Sequence, residues 1–155
     1  MSGTPAGLSA LQAISCGTAL NAIGAGQVGI TGALSNVNLG SSTDAWPSEA
    51  DLWLVISSFA PTAAGNLQAV VTPSDDGSNY EPIFLPAGST QLQPFTSDLF
   101  SQFPVPANTY AANDIIRISL AWHSAPKFKI GLFNNTGVAL ALTSASIYVR
   151  GSISG

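Results

Sequence analysis

The run of residues 127–150, KFKIGLFNNTGVALALTSASIYVR, constrains the fold most. In its first part Phe128, Ile130 and Leu132 alternate with polar or small residues, which is the period of a half-buried β-strand. Residues 134–137, Asn-Asn-Thr-Gly, then supply side chains that accept the positive φ angles of tight turns. The pattern therefore predicts two strands joined as a hairpin by a four-residue loop.

The second strand of this run changes its parity partway along. Its apolar residues share one parity as far as Leu142 and take the opposite parity from Ala145 onward. A shift of one residue moves every later side chain to the other face of a sheet. We therefore expect a β-bulge near Thr143 and Ser144, where an extra residue would restore the pattern.

Further strands precede this run. Residues 52–56, within DLWLVISSF, form a continuous apolar stretch that predicts a central strand buried on both faces. In the strand predicted over 115–122, Ile116, Ile118 and Leu120 should face the core, while their neighbours of opposite parity should be partly exposed. Turn sequences at 61–65 and 73–80 separate additional strands at 67–72 and 80–85. These patterns predict an all-β protein, an antiparallel, jelly-roll-like β-sandwich.

Residues 1–43 carry no charged side chain and many glycines. The apolar residues at positions 8, 11 and 14 fit a short helical turn or two, whereas Val28 and Ile30 fit a short strand. The glycines at positions 24, 26 and 29 match the spacing of a dinucleotide-binding loop, but no strand-turn-helix pattern surrounds them. We expect an extended N-terminal arm over 1–43 and a sandwich body over 44–155.

The composition indicates a protein that hides apolar surface in an assembly. Hydrophobic residues make up 46% of the chain and charged residues 8%, and the mean hydropathy is +0.33. No apolar run approaches the roughly 18 residues of a membrane-spanning helix. The first residues lack the Lys or Arg of a signal peptide, and the lone Cys16 has no partner for an internal disulfide. We expect a homo-oligomer, with a trimer favoured, made in the cytoplasm and not associated with a membrane.

Charge is distributed unevenly along the chain. All eight acidic residues precede all four basic residues, and the net charge is −4. Four cations on an acidic chain neutralise few phosphates, so nucleic-acid binding is not expected. Lys127, Lys129 and Arg150 lie in the predicted closing hairpin. Its lysine face is a candidate for contact with an acidic neighbour.

The residues that usually perform catalysis are sparse. His123 is the only histidine, and no serine lies in a Gly-x-Ser-x-Gly motif. The acidic turn with Asp75, Asp76 and Glu81 offers oxygen ligands for calcium, but it lacks the order of an EF-hand loop and is explained by turn formation. We expect no enzyme activity, no catalytic residue, no cofactor and no metal.

Aromatic residues mark the candidate contact surface. Trp46 lies at the start of the body, and the irregular, proline-rich stretch 86–113 carries further aromatic side chains; its candidates are Phe95, Phe100, Phe103 and Tyr110. Long loops with aromatic residues either bind partners or cover the open end of a sandwich. Both alternatives stay open from the sequence.

Three segments in fixed order resemble a known family. They are the apolar strand before the turn at 61–65, the segment VTPSDDGSNYE, and the segment PKFKIGLFNNTGVAL before the last strand. Over residues 51–150 the chain resembles small β-sandwich structural proteins of tailed bacteriophage virions, of the capsid cement or decoration type. The resemblance implies no catalytic residues.

The resemblance implies a non-enzymatic virion protein that binds the major capsid protein on the outside of the shell and stabilises contacts between capsomers. The alternative is a glycan-binding module displayed on the virion for adhesion to a host surface. In that alternative Trp46, Trp122 or the loop containing Phe95 and Tyr110 would form the sugar platform.

Overall fold

The computed structural model describes residues 7–8, 12–35, 47–74, 78–79, 83–84, 93–94, 100–120 and 127–153. Their strands are β1 (Gly7–Leu8), β2 (Gln12–Ser15), β3 (Ala22–Ile23), β4 (Val28–Ile30), β5 (Leu34–Ser35), β6 (Pro47–Ser58), β7 (Gly65–Ser74), β8 (Ile83–Phe84), β9 (Gln93–Pro94), β10 (Phe100–Val105), β11 (Ile115–Ser119), β12 (Lys127–Asn135) and β13 (Leu140–Ile153). Two antiparallel sheets enclose the core, which confirms the predicted all-β sandwich.

Each sheet is built around long strands from distant parts of the chain. The first sheet has the order β1-β13-β6-β11, and β2 and β3 also pair with β13. The second sheet has the order β10-β7-β12-β4, and β5 also pairs with β12. The short strands β8 and β9 pair with each other. Every described strand pair is antiparallel, as is common in β-sandwiches.

The core lies between the two sheets. Leu54 of the first sheet and Leu67, Ile130 and Leu132 of the second are completely buried in one cluster. A smaller cluster of Val70 and Phe133, with Val28 packed against it, is formed by second-sheet side chains of the opposite parity, which project away from the main core. Alternating strand residues therefore supply the main core as predicted, including Phe128, Ile130 and Leu132.

The predicted hairpin of residues 127–150 is wrong. β12 pairs with β7 and with β4 and β5, whereas β13 pairs with β6 and with β1 to β3. Residues 136–139 therefore carry the chain from one sheet to the other instead of reversing it within a sheet. The local sequence indicates a turn here, but it does not reveal which sheet the returning strand joins.

The predicted β-bulge in β13 is confirmed. Leu142 lies opposite Ile56 and Ser144 lies opposite Val55, so Thr143 is left without a register partner. Leu140 and Leu142 are buried before the bulge, and Ala145 and Ile147 are buried after it. Because Thr143 is an extra residue, the apolar side chains before it and those after it all face the core, although their parities differ.

β6 is central, between β13 and β11, but its predicted burial on both faces is wrong. Leu52, Leu54 and Ile56 are completely buried, whereas Trp53 and Val55 are half-buried. β11 shows the same alternation, with exposed residues at odd positions, as predicted. The odd-numbered side chains of both strands consequently share the outer face of the first sheet.

The described part of the N-terminal segment lies along edges of both sheets. β2 and β3 extend the β13 edge, and β4 and β5 then extend the β12 edge. Leu20 and Ile23 are core residues, and the Thr31 hydroxyl accepts a hydrogen bond from the Ile130 amide at 3.1 Å. Residues 12–15 are strand, not a helical turn, whereas the predicted strand at Val28 and Ile30 is confirmed. The predicted boundary between residues 43 and 44 lies outside the described residues.

Candidate functional site

Two of the predicted aromatic contact residues, Phe103 and Tyr110, have side chains that the structure describes. Phe103 is partly buried against the core, and the Tyr110 ring stacks on Phe59 with 5.2 Å between ring centroids. The Tyr110 amide also donates a hydrogen bond to the Phe59 carbonyl oxygen at 2.9 Å. Both residues therefore pack against the core while keeping part of their surface exposed, and a role in binding a partner stays a prediction. Phe100 lies in β10, opposite Val70.

Several candidate residues lie outside the described part of the chain. These are Trp46, Phe95, Trp122, His123 and the acidic residues of the turn, Asp75, Asp76 and Glu81. The predictions made for them stay predictions. Within the described ranges, no group of three or more His, Cys, Asp or Glu side chains has an arrangement that would hold a metal ion.

The three cations of residues 127–150 are divided between the sheets. Lys127 and Lys129 lie on β12 in the second sheet, and Arg150 lies on β13 in the first. Their predicted gathering on one hairpin is therefore wrong, although the two lysines do share a strand face. Both lysines have the parity of Gly131, which lies opposite Ile30 of β4, so Ile30 projects from the same face of the sheet. Ile30 is 47% exposed. We call Ile30, Lys127 and Lys129 the lysine strip.

A second surface, on the outer face of the first sheet, was missed by the sequence reasoning. Across β11, β6 and β13, register places Arg117, Trp53 and Ser146 in one row and Ser119, Asp51 and Tyr148 in the next. Residues opposite one another in antiparallel strands project to the same side. We call Asp51, Trp53, Arg117, Ser119 and Tyr148 the aromatic face.

The side chains of the aromatic face contact one another. The Trp53 and Tyr148 rings are 4.5 Å apart at their centroids and tilted by 45°. Arg117 Nε lies 3.6 Å from Asp51 Oδ2, and the Ser119 hydroxyl donates a hydrogen bond to Asp51 Oδ1 at 3.1 Å. The Arg117 guanidinium carbon lies 6.0 Å from the Trp53 ring centroid, at the outer limit of a cation–π contact. The face thus combines two aromatic rings with a self-neutralising charge pair.

The residues of the aromatic face differ in their exposure to solvent. The Arg117 side chain is 60% exposed and that of Asp51 is 29% exposed, while both rings are half-buried. The Trp53 indole nitrogen is buried without a hydrogen-bond acceptor in the described structure. An unmade hydrogen bond of this kind costs about 1–3 kcal/mol. The indole thus contacts the Tyr148 ring but makes no hydrogen bond of its own within the described residues.

The sequence carries a period-two signal of this face, but apolar residues obscure it. In DLWLVISSF the polar Asp51 and the amphipathic Trp53 share odd parity with Val55, and Arg117 and Ser119 share odd parity in β11. Because Trp53 and Val55 are themselves apolar, the stretch looks uniformly hydrophobic and the alternation is hidden.

The thiol of Cys16 is shielded from solvent. Cys16 is 4% exposed, and its amide donates a hydrogen bond to the Ala145 carbonyl oxygen at 3.0 Å. Desolvation raises the pKa of the Cys16 thiol from 9.0 to about 12. A buried thiol that stays protonated is a poor nucleophile, so Cys16 belongs to the core.

Comparisons with known proteins give little further information. No protein-family model matches the chain, and no curated protein matches it. Among solved structures, one titled "Crystal structure of PirA" aligns over 96% of this chain and 96% of its own, with 7% sequence identity and a TM-score of 0.32. A likeness at that TM-score carries no argument about function. In the described residues, no helix is long and apolar enough to cross a membrane.

Proposed function

We propose that the protein is a non-enzymatic structural protein of a tailed bacteriophage virion, of the capsid cement or decoration type. It would bind the major capsid protein on the outer surface of the shell and stabilise contacts between capsomers. The proposal rests on the resemblance over residues 51–150. It is also supported by a β-sandwich that carries few charges and has the lysine strip at its surface. The corresponding location is the virion, after synthesis in the host cytoplasm.

The lysine strip is the observation that favours this function most. Ile30 is one of two large hydrophobic side chains recorded as exposed among the described residues, and it lies on the same sheet face as Lys127 and Lys129. An exposed apolar side chain beside two cations fits a protein neighbour that offers an apolar contact and carboxylates. Complementary charge of this kind mainly sets partner choice and association rate.

Repetition of the contact would make a weak interaction useful. A homo-oligomer, most simply a trimer, would present several copies of the lysine strip to neighbouring capsomers at once. Simultaneous engagement raises overall affinity by about 10²–10⁴ when the geometry allows all sites to bind. A cement protein needs such an increase in overall affinity because the shell must resist outward pressure at many equivalent positions.

Co-sedimentation with empty, expanded shells of the phage that encodes the chain tests the proposal. The wild type should sediment with the shells, and the double variant Lys127→Ser/Lys129→Ser should bind about tenfold or more weakly. Arg117→Gln, on the opposite sheet, removes one cation from a different surface and should bind like the wild type. Thermal melts must show that the double variant remains folded.

Two outcomes contradict the proposal. The first is absence of wild-type binding to shells under conditions where the protein is folded. The second is equal loss of binding in the lysine and Arg117 variants, which would indicate a general effect of charge. Light scattering gives an independent check on oligomerisation, because a stable monomer at low concentration contradicts the multivalent mechanism.

A further inference from the structure

The aromatic face has properties that the proposed capsid contact does not use. It lies on the outer side of the first sheet, whereas the lysine strip lies on the outer side of the second. The outer faces of two stacked sheets point in opposite directions. A ligand on the aromatic face would therefore not cover the lysine strip.

The charges on the aromatic face favour a neutral ligand. Arg117 and Asp51 lie 3.6 Å apart and compensate each other. An anion attracted to Arg117 would be repelled by Asp51. A cation attracted to Asp51 would likewise be repelled by Arg117. A hydroxyl group can use both residues, because it donates a hydrogen bond to a carboxylate oxygen and accepts one from a guanidinium N–H.

The rings and their surroundings favour a small ligand with an apolar side. The ring centroids of Trp53 and Tyr148 lie 4.5 Å apart, and both side chains retain exposed surface. Short side chains flank them, namely Ala13, Ser15, Ser119 and Ser146. Small neighbours leave the rings accessible from above and provide hydroxyl groups at the rim. Ligand sites commonly combine aromatic surface with a few such polar groups.

We propose that the aromatic face binds one ring of a neutral saccharide. The C–H side of a pyranose ring packs on the Tyr148 and Trp53 rings, and its hydroxyl groups bond to Asp51 and Arg117. Because Arg117 is 60% exposed and lies 6.0 Å from the Trp53 centroid, its side chain can adjust without breaking core contacts. Asp51 is partly held by Ser119, which fixes one oxygen and leaves lone pairs free.

A glycan array probed with the 155-residue chain is the first test. The array should carry neutral, sialylated and sulfated glycans, and we expect signal on neutral hexose-terminated glycans. Absence of signal, or signal confined to charged glycans, overturns the proposal. This readout is independent of the capsid experiment because it uses the protein and glycans alone.

Variants then locate the site. Titration of the best neutral glycan, followed by saturation-transfer NMR, should show binding weakened about tenfold or more by Tyr148→Ser and by Asp51→Asn. Tyr148→Phe preserves the ring and should bind within about threefold of the wild type, because stacking contributes most of the contact. Melting curves establish that each variant is folded, and wild-type affinity in both Tyr148→Ser and Asp51→Asn overturns the proposal.

Ile115→Ser distinguishes a sugar from a protein partner. Ile115 is 51% exposed on the same sheet face, in the row beyond Arg117. A single sugar ring stacked on Tyr148 does not reach that row, so affinity should be unchanged. If Ile115→Ser weakens binding as much as Tyr148→Ser does, the occupant covers the whole face as a protein would, and the saccharide proposal is wrong.

Discussion

The side-chain amide nitrogen of Asn134 lies 3.0 Å from the main-chain carbonyl oxygen of Ile23, which is 111 residues away in sequence. The same amide donates to the Val138 carbonyl oxygen at 2.7 Å, and the Thr136 hydroxyl donates to the Asn134 side-chain oxygen. Asn134 is completely buried. One polar side chain therefore joins the N-terminal segment to the connection between the two sheets.

This arrangement predicts a large cost for replacing Asn134. Asn134→Ala removes both donors and leaves the carbonyl oxygens of Ile23 and Val138 without these bonds, so we expect a loss of about 2–4 kcal/mol in unfolding free energy. Asn134→Asp should be at least as destabilising, because a carboxylate cannot donate and would face carbonyl oxygens. Urea unfolding measures both changes.

Asn135→Ala is the matched control for the substitutions at position 134. Asn135 is adjacent and half-buried, and we expect its replacement to cost less than about 1 kcal/mol. Equal destabilisation by Asn134→Ala and Asn135→Ala would show that the buried amide has no special role.

The sequence predicted strand faces better than strand partners, for a physical reason. The period of two is local, so the core positions of β12 and the bulge of β13 follow from neighbouring residues alone. Pairing depends on contacts between distant segments. Asn134 shows the difference: its sequence context indicates a turn, but its hydrogen bond to Ile23 could not be foreseen from that turn.

The same limitation explains the missed aromatic face. Trp53 is apolar enough to extend the hydrophobic run of β6, so its outward position becomes visible only when Arg117 and Tyr148 are placed on either side. The two lysines of β12 were placed on one face by local alternation, and that prediction did not depend on pairing.

Gly65 should not tolerate a side chain. A Cβ at Gly65 would lie 2.8 Å from the Thr136 Cα and closer still to the Asn135 carbonyl oxygen, so the backbone would have to shift. We expect Gly65→Ala to lower the unfolding free energy by about 1–3 kcal/mol, as for other overpacking changes. Gly32→Ala is the control, because a Cβ there meets no atom within 4 Å. Similar denaturation midpoints for the two variants would contradict the close approach.

Cys16 should make stability depend on pH in the alkaline range. Its thiol pKa is about 12 in the folded chain, against an ordinary value of 9.0. Above pH 9 the unfolded chain loses this proton while the folded chain keeps it. The stabilising contribution is therefore complete below about pH 9 and declines as pH rises toward 12, by at most about 1.4 kcal/mol per pH unit.

Urea unfolding of the wild type and of Cys16→Ala between pH 7.5 and 10.5 checks this sign. The variant removes the titrating thiol, so the difference in unfolding free energy between the two proteins should shrink as pH rises. A difference that is constant with pH contradicts a buried, protonated Cys16. Thiol labelling at pH 8 should likewise be slow in the folded protein and fast after denaturation.

Deletion of Thr143 tests whether the bulge is needed to align the two halves of β13. Leu142 and Ala145 are both buried, and the extra residue lets them face the core despite their opposite parity. Without Thr143, either Leu140 and Leu142 or Ala145 and Ile147 must turn outward. We expect a loss of more than about 3 kcal/mol, from the exposure of two apolar side chains and the cavities they leave. Thr143→Ala keeps the residue count and should be nearly neutral, because Thr143 is exposed. If the deletion were as stable as Thr143→Ala, residue number at the bulge would not set the register of β13.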